Sequence, residues 1–181
     1  TAASTTRGII AGGGTPSVKN VIEFVTITTT GDATDFGDLP VARFEMGCQC
    51  TSATRAVFGG GKVAPDNSAV NTIEFITMAT KGNALNFGEL SQEASRVTGF
   101  SSPTRGLSAG GFNNTPSATK SNVIEFVTIA TLGNATDFGD LLTQRYTPGS
   151  GSSKTRGVIG GGNTQPAKTN VIDFVTIASA G

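Results

Sequence analysis

The sequence predicts an all-β repeat protein, and three observations carry that prediction. The chain repeats itself about every 50 residues: Thr-Arg recurs at Thr6-Arg7, Thr54-Arg55, Thr104-Arg105 and Thr155-Arg156, so the arginines step by 48, 50 and 51. Glycine supplies 25 of 181 residues, and Thr and Ser punctuate the chain, a turn-rich composition that suits strands better than helices. No segment sustains a 3.6-residue apolar period, so essentially no helix is expected.

Each period reads as four short strands. In the first full copy strand a is expected at 44–50, b at 55–60, c at 72–79 and d at 84–90. Strand b is a short apolar run that ends in glycines, as at Gly12-Gly13-Gly14, Gly59-Gly60-Gly61, Gly110-Gly111 and Gly160-Gly161-Gly162. Strand c reads NVIEFVTI at 20–27, NTIEFITM at 71–78, NVIEFVTI at 122–129 and NVIDFVTI at 170–177. Its β-branched and aromatic residues are mostly apolar on both faces, which places it between packed sheets. Gly-Asp or Gly-Asn at 31–32, 82–83 and 133–134 opens the turn into strand d, the usual chemistry of a tight turn. A second arginine then follows, at Arg43, Arg96 and Arg145.

Four strands per unit, repeated, is the arithmetic of a β-propeller blade; a β-solenoid is the alternative. The chain is expected to be one repeat domain, 1–181, with units of approximately 1–42, 43–95, 96–144 and 145–181. The first unit reads without an a strand and the last without a d strand. The expectation is therefore a window on a longer array, because sheet edges left short of a strand are normally covered.

Composition removes whole classes of function. Thirteen Lys+Arg balance thirteen Asp+Glu, and charged residues are only 14%; nothing here forms the basic footprint of a nucleic-acid or anionic-membrane binder. No apolar run nears the ~20 residues that span a bilayer. There is no histidine, so Ser-His-Asp, Cys-His and His–metal chemistry lie outside this chain. Cys48 and Cys50 stand at i and i+2, a strained spacing for a disulfide, and are read as free, semi-buried residues.

Three motifs have sharper readings that fail on context. Asp35-Phe36-Gly37 and Asp137-Phe138-Gly139 spell the kinase magnesium motif but lack its lysine, catalytic loop and lid. The glycine triplets are not followed by the Gly-Lys-Ser/Thr and helix of a phosphate cradle; glycine there lets strand ends pack closely. Asp32, Asp35 and Asp38, with Asn83, Asn86 and Glu89 and then Asn134, Asp137 and Asp140, could offer calcium oxygens and are read as turn-capping groups. No catalytic residue, metal or cofactor is expected.

The structural set is larger. Arg7, Arg55, Arg105 and Arg156 recur with Glu23, Glu74, Glu125 and Asp173, one cation and one anion per unit, which suggests a ring of paired charge. Phe24, Phe75, Phe126 and Phe174 on strand c, and Phe36, Phe87 and Phe138 on strand d, are expected between blades. The copies disagree in the b–c loops, 15–19, 62–70, 112–121 and 163–169, which hold Pro16, Pro65, Pro116 and Pro166. Variable loops on a fixed scaffold are where binding resides, or else they are solvated tips. The candidates are Pro16, Lys19, Lys62, Asp66, Asn67, Asn113, Asn114, Lys120, Asn163, Gln165 and Lys168.

An arginine, an apolar strand closed by Gly-Gly, a variable loop, Asn-x-Ile-Glu-Phe and a closing aromatic together resemble the Kelch-type repeat. In that family an aromatic sits in the third strand and a Trp in the fourth; Phe24, Phe75, Phe126 and Phe174 match the first, and Phe36, Phe87 and Phe138 stand in place of the second. The wording of the unit, NVIEFVTIATLGNATDFGDL with TRGVIGGG, further resembles repeat arrays in tail-fibre and other virion structural proteins of marine cyanobacterial phages. The resemblance implies a non-enzymatic virion component, a tail-fibre or host-recognition module. Its partners would be other virion proteins or a host surface receptor, with self-association as a further option, and neither nucleic acid nor membrane insertion is implied. The same scaffold would also serve a secreted or cell-surface bacterial adhesin or glycan-binding propeller, or an intracellular Kelch-type adaptor.

Overall fold

A computed structural model describes residues 1–114 and 118–178, leaving out the side chains at 48, 49 and 51. The fold is all-β; its main strands fall in four successive antiparallel sheets, and two smaller sheets lie in the connections among the described residues. The first contains β1 (Ala2–Ala3), β2 (Arg7–Gly13), β3 (Lys19–Thr26) and β4 (Thr34–Asp38). A short β5 (Arg43–Phe44) leads to the second, formed by β6 (Gly47–Thr51), β7 (Arg55–Gly59), β10 (Thr72–Thr77) and β11 (Leu85–Glu89), with β8 (Lys62–Val63) and β9 (Ser68–Ala69) in its b–c loop. The third contains β12 (Thr98–Ser101), β13 (Arg105–Ala109), β16 (Val123–Thr128) and β17 (Thr136–Asp140), with β14 (Phe112–Asn113) and β15 (Thr119–Lys120) in its loop. The fourth contains β18 (Gly149–Ser152), β19 (Arg156–Gly160) and β20 (Ile172–Thr176).

Strands sit within a few residues of the expected ranges. Two corrections stand out. The first sheet does have an a strand, the two-residue β1, which pairs Ala2 with Ile9 and Ala3 with Gly8. Each of the four main sheets is an antiparallel meander, and every strand pair among the described residues is antiparallel, unlike the parallel rungs of a β-helix.

The core lies between sheets. Ile9, Ile22, Phe36 and Leu39 of the first sheet pack against Phe58, Ile76, Met78 and Ala84 of the second. Val57, Ile73, Phe75 and Phe87 meet Val127 and Ile129 of the third; Leu107, Ile124 and Phe138 meet Ile159 and Ile177 of the fourth. Each sheet therefore has a front face, toward the sheet that follows, and a back face. The c- and d-strand rings meet edge-on at 6.0, 5.9 and 6.1 Å in the first three sheets. The d-strand rings Phe36, Phe87 and Phe138 are all buried, whereas on strand c Phe75 is buried, Phe24 and Phe126 are half-buried, and Phe174 is 65% exposed, contrary to expectation.

Polar brackets repeat at each junction. Arg7 donates from Nη1 to the Met78 carbonyl at 2.7 Å, Arg55 to Ile129 at 2.7 Å and Arg105 to Ile177 at 3.0 Å. Each guanidinium also lies over the strand-c ring of its own sheet, at 4.9, 4.8 and 4.5 Å from Phe24, Phe75 and Phe126. Below them, the c–d turn of the following sheet clips onto strand d. Gly82 and Ala84 N–H donate to the Phe36 and Asp38 carbonyls, and Asp38 N–H donates to Asn83 Oδ1 at 3.0 Å. Gly133, Ala135 and Asn134 repeat this on Phe87 and Glu89. A Cβ on Gly37 or Gly88 would fall 2.4 or 2.2 Å from the carbonyl oxygen of Gly82 or Gly133, so the Phe-Gly of the kinase-like motif exists to admit this turn.

The expected pairing of charge is corrected by register. Arg55 faces Thr77 across the ladder, three residues from Glu74, and odd spacing on a strand means the opposite face. Arg105 faces Thr128 and Arg156 faces Thr176 in the same way. Glu74 instead pairs with Arg43, and Asp173 with Arg145; both arginines are buried and lie on the d–a links. Glu23 is exposed and Glu125 has no arginine.

Candidate binding face

Successive turns of a meander alternate between its two ends, so the b–c loops share one end of each sheet with the d–a links. The loops are built there rather than left loose. Phe44 pairs with Lys62, Ser95 with Phe112 and Tyr146 with Asn163, so in the last three units the link lies alongside the start of the loop. The Gly-Gly pairs make room for this. A Cβ on Gly12, Gly60 or Gly110 would lie 2.2–2.5 Å from the carbonyl oxygen of Arg43, Ala94 or Arg145, and Gly61 and Gly111 N–H donate to the last two at 2.9 Å.

The links also join one another. Glu45, Arg96 and Thr147 occupy one register position and all have positive φ, at 56°, 56° and 50°, an uncommon conformation for residues other than glycine. Arg96 N–H donates to the Glu45 carbonyl at 2.9 Å, and Thr147 N–H to that of Arg96 at 3.0 Å. Arg96 therefore sits two places beyond the register of Arg43 and Arg145, which the third unit fills with Ala94. The three arginines are not one series.

Around Arg96 the face carries a cluster of charge and rings. Its guanidinium reaches Glu45 at 2.8 Å, and Lys62 reaches the same carboxylate at 3.2 Å. Burial pushes the Glu45 carboxyl up, but the bonds from Arg96 and Lys62 outweigh it and hold the carboxyl below its ordinary range; Glu45 in turn raises Arg96. Arg96 lies 5.7 Å from the Phe112 ring and 5.5 Å from that of Tyr146, and Gln165 Nε2 donates to the Tyr146 hydroxyl at 2.8 Å.

The candidates divide accordingly. Pro16, Lys19, Asp66, Asn67, Gln165 and Lys168 are exposed. Lys62 is 7% exposed and is a structural cation, not a free binding group. Asn114 Nδ2 donates to the Asn67 carbonyl at 3.1 Å, and Lys120 Nζ to that of Thr164 at 2.8 Å, so loops of neighbouring units are tied together. Asn113 lies in β14, and Asn163 Oδ1 accepts from Gln165 N–H at 2.9 Å. Asp66 Oδ1 caps its own turn, accepting from Ser68 N–H and hydroxyl at 3.2 and 3.0 Å, which lowers the carboxyl. Pro116 lies outside the described residues, as does the side chain of Cys48; Cys50 is buried.

Sequence reasoning missed Glu45, Phe112 and Tyr146 as a cluster, although Tyr146 is the chain's one tyrosine. It also missed Ser4, Ser52, Ser102 and Ser153, each two residues before the Thr of a Thr-Arg pair. Each serine oxygen accepts from the backbone N–H of the Arg three residues on, at 3.0–3.1 Å, so the full turn signature is Ser-x-Thr-Arg.

Chemically the face offers hydrogen bonds, cations and ring edges. Among the described residues no three Cys, Asp or Glu side chains gather into a group that could hold a metal ion, and no helix is long and apolar enough to cross a membrane. The chain matches no family model and no curated protein.

Proposed function

We propose that this chain is a non-enzymatic presentation scaffold, a Kelch-like propeller portion that works as a structural or host-recognition module of a phage virion. The observation that carries the reading is the contrast between its two ends. Junction brackets repeat almost atom for atom, while the b–c loops differ from unit to unit and yet are tied to each other through Asn114–Asn67 and Lys120–Thr164. A constant scaffold under a joined, variable surface suits recognition of a partner larger than one loop. The propeller arrangement is supported by the inner strands: residues of β1, β6, β12 and β18 line one open cavity of about 520 Å³. The virion assignment rests on the resemblance of the repeat wording. Fluorescently labelled protein should decorate cells of a susceptible marine cyanobacterium or co-sediment with phage tails, and a Lys19, Lys120, Lys168→Ala variant should lose that binding. Absence of both interactions, with the protein folded, overturns the reading.

A further inference from the structure

Junction brackets repeat from unit to unit, whereas one register position on the d–a links changes its side chain each time. It holds Glu45, then Arg96, then Thr147, all at positive φ. The middle residue touches the supports of three b–c loops. Toward the second unit Arg96 reaches Glu45 at 2.8 Å, and the same carboxylate takes Lys62, which opens the 62–70 loop, at 3.2 Å. Its guanidinium lies 5.7 Å from the ring of Phe112, which opens the 112–121 loop, and 5.5 Å from the ring of Tyr146. Those two rings are 5.0 Å apart, and the Tyr146 hydroxyl accepts from Gln165 of the 163–169 loop at 2.8 Å. A guanidinium suits this place because its edge pairs with a carboxylate while its flat face covers rings.

We infer that Arg96 is a positioning residue whose side chain makes the b–c loops of the second, third and fourth units open together rather than one by one. The inference deepens the reading of the loop face as the recognition surface. Loops ordered in advance by one shared group favour a partner broad enough to touch all three, because less ordering is left for the moment of binding. Two other carriers are present. The Arg96 N–H and carbonyl bond to Glu45 and Thr147, and these rungs persist in any side-chain variant. Asn114 and Lys120 tie neighbouring loops directly, and these ties also persist when Arg96 is truncated.

Amide exchange followed by NMR on the 181-residue protein tests this, because an equivalent bond closes each loop. Val70 N–H donates to the Gly61 carbonyl at 3.0 Å, Ser121 N–H to that of Gly111 at 3.0 Å and Thr169 N–H to that of Gly162 at 3.1 Å. Arg96→Ala should speed exchange at all three amides by about threefold or more. The clip amides of Gly82, Ala84, Gly133 and Ala135 should stay as they are. Arg96→Lys keeps a charge facing Glu45 but loses the flat face over the rings, so Val70 should be better protected than Ser121 and Thr169. Gln165→Ala, an exposed change in the fourth unit, should speed Thr169 and also Val70; in the Arg96→Ala background it should act on Thr169 alone. The readout needs no partner, so a failure to bind cells or phage tails would count against the proposed function and leave this result standing. An Arg96→Ala effect that is absent, confined to one loop or equally large at the clips would overturn the inference. So would a Gln165→Ala effect on Val70 that survives without Arg96, which would assign the coupling to the Asn114 and Lys120 ties.

Discussion

The second and third units place a buried glutamate at the same point of strand c and treat it differently. Glu74, 3% exposed, meets Arg43, whose Nη1 also donates to the Gly60 and Thr72 carbonyls at 3.1 and 3.2 Å. Glu125, 5% exposed, faces a unit in which Ala94 occupies the arginine's position; it accepts from Ser91 N–H at 2.8 Å and from the Ser108 hydroxyl. Burial pushes both carboxyls up, and at Glu74 the arginine pulls back. The comparison teaches that this point of strand c tolerates a buried carboxylate held by hydrogen bonds alone and does not need an ion pair. Neutral donors from Ser91 and Ser108 hold Glu125 in place and leave its charge uncompensated, whereas the guanidinium holds Glu74 and the link together.

The comparison can be broken most directly at Arg43. Arg43→Ala strips a buried carboxylate of its cation and should cost about 3–5 kcal/mol in urea unfolding; a loss below about 1 kcal/mol would mean that the pair contributes no more than the Ser91–Glu125 arrangement. Glu125→Gln should act in the opposite sense, stabilising by about 1–2 kcal/mol at neutral pH because it removes an unpaired buried charge. The pH dependence gives the sign independently. A carboxyl raised in the folded state binds protons that the unfolded chain has already released, so its stability contribution is full below the ordinary glutamate value and falls as pH rises through the folded one. Urea midpoints should show that decline in the parent and a flatter profile over the same window in Glu125→Gln. Asn83→Ala and Asn134→Ala sharpen the comparison as controls. Each removes one bond of the clip and should cost about 0.5–1.5 kcal/mol, equally at the two junctions; unequal losses would mean that the missing arginine loosens its whole neighbourhood.

The repeat and its strands were legible because turn residues and two-faced apolar runs are local signals. Phe36, Phe87 and Phe138 were readable as core for that reason, and they are buried. Partnerships were not legible. Arg55 and Glu74 recur together in sequence, but strand register puts them on opposite faces, and register is a long-range property. Arg96 was grouped with Arg43 and Arg145 by order of appearance, although counting from Leu39, Leu90 and Leu141 would have placed Ala94 in that series. The loop candidates were found by variability alone, which says nothing about Lys62 turning inward to Glu45.

The junction bracket bears on how such an array changes over generations. It joins a side chain of one unit, or an asparagine of the next, to main-chain groups that every unit possesses. The bracket itself therefore asks for no matching side chain across the boundary. Unequal recombination between the near-identical NVIEFVTI segments would delete or duplicate whole units and leave the bracket at each new junction complete. The loops travel with their units, so shuffling copies reorders the loop surface while the frame beneath it is unchanged.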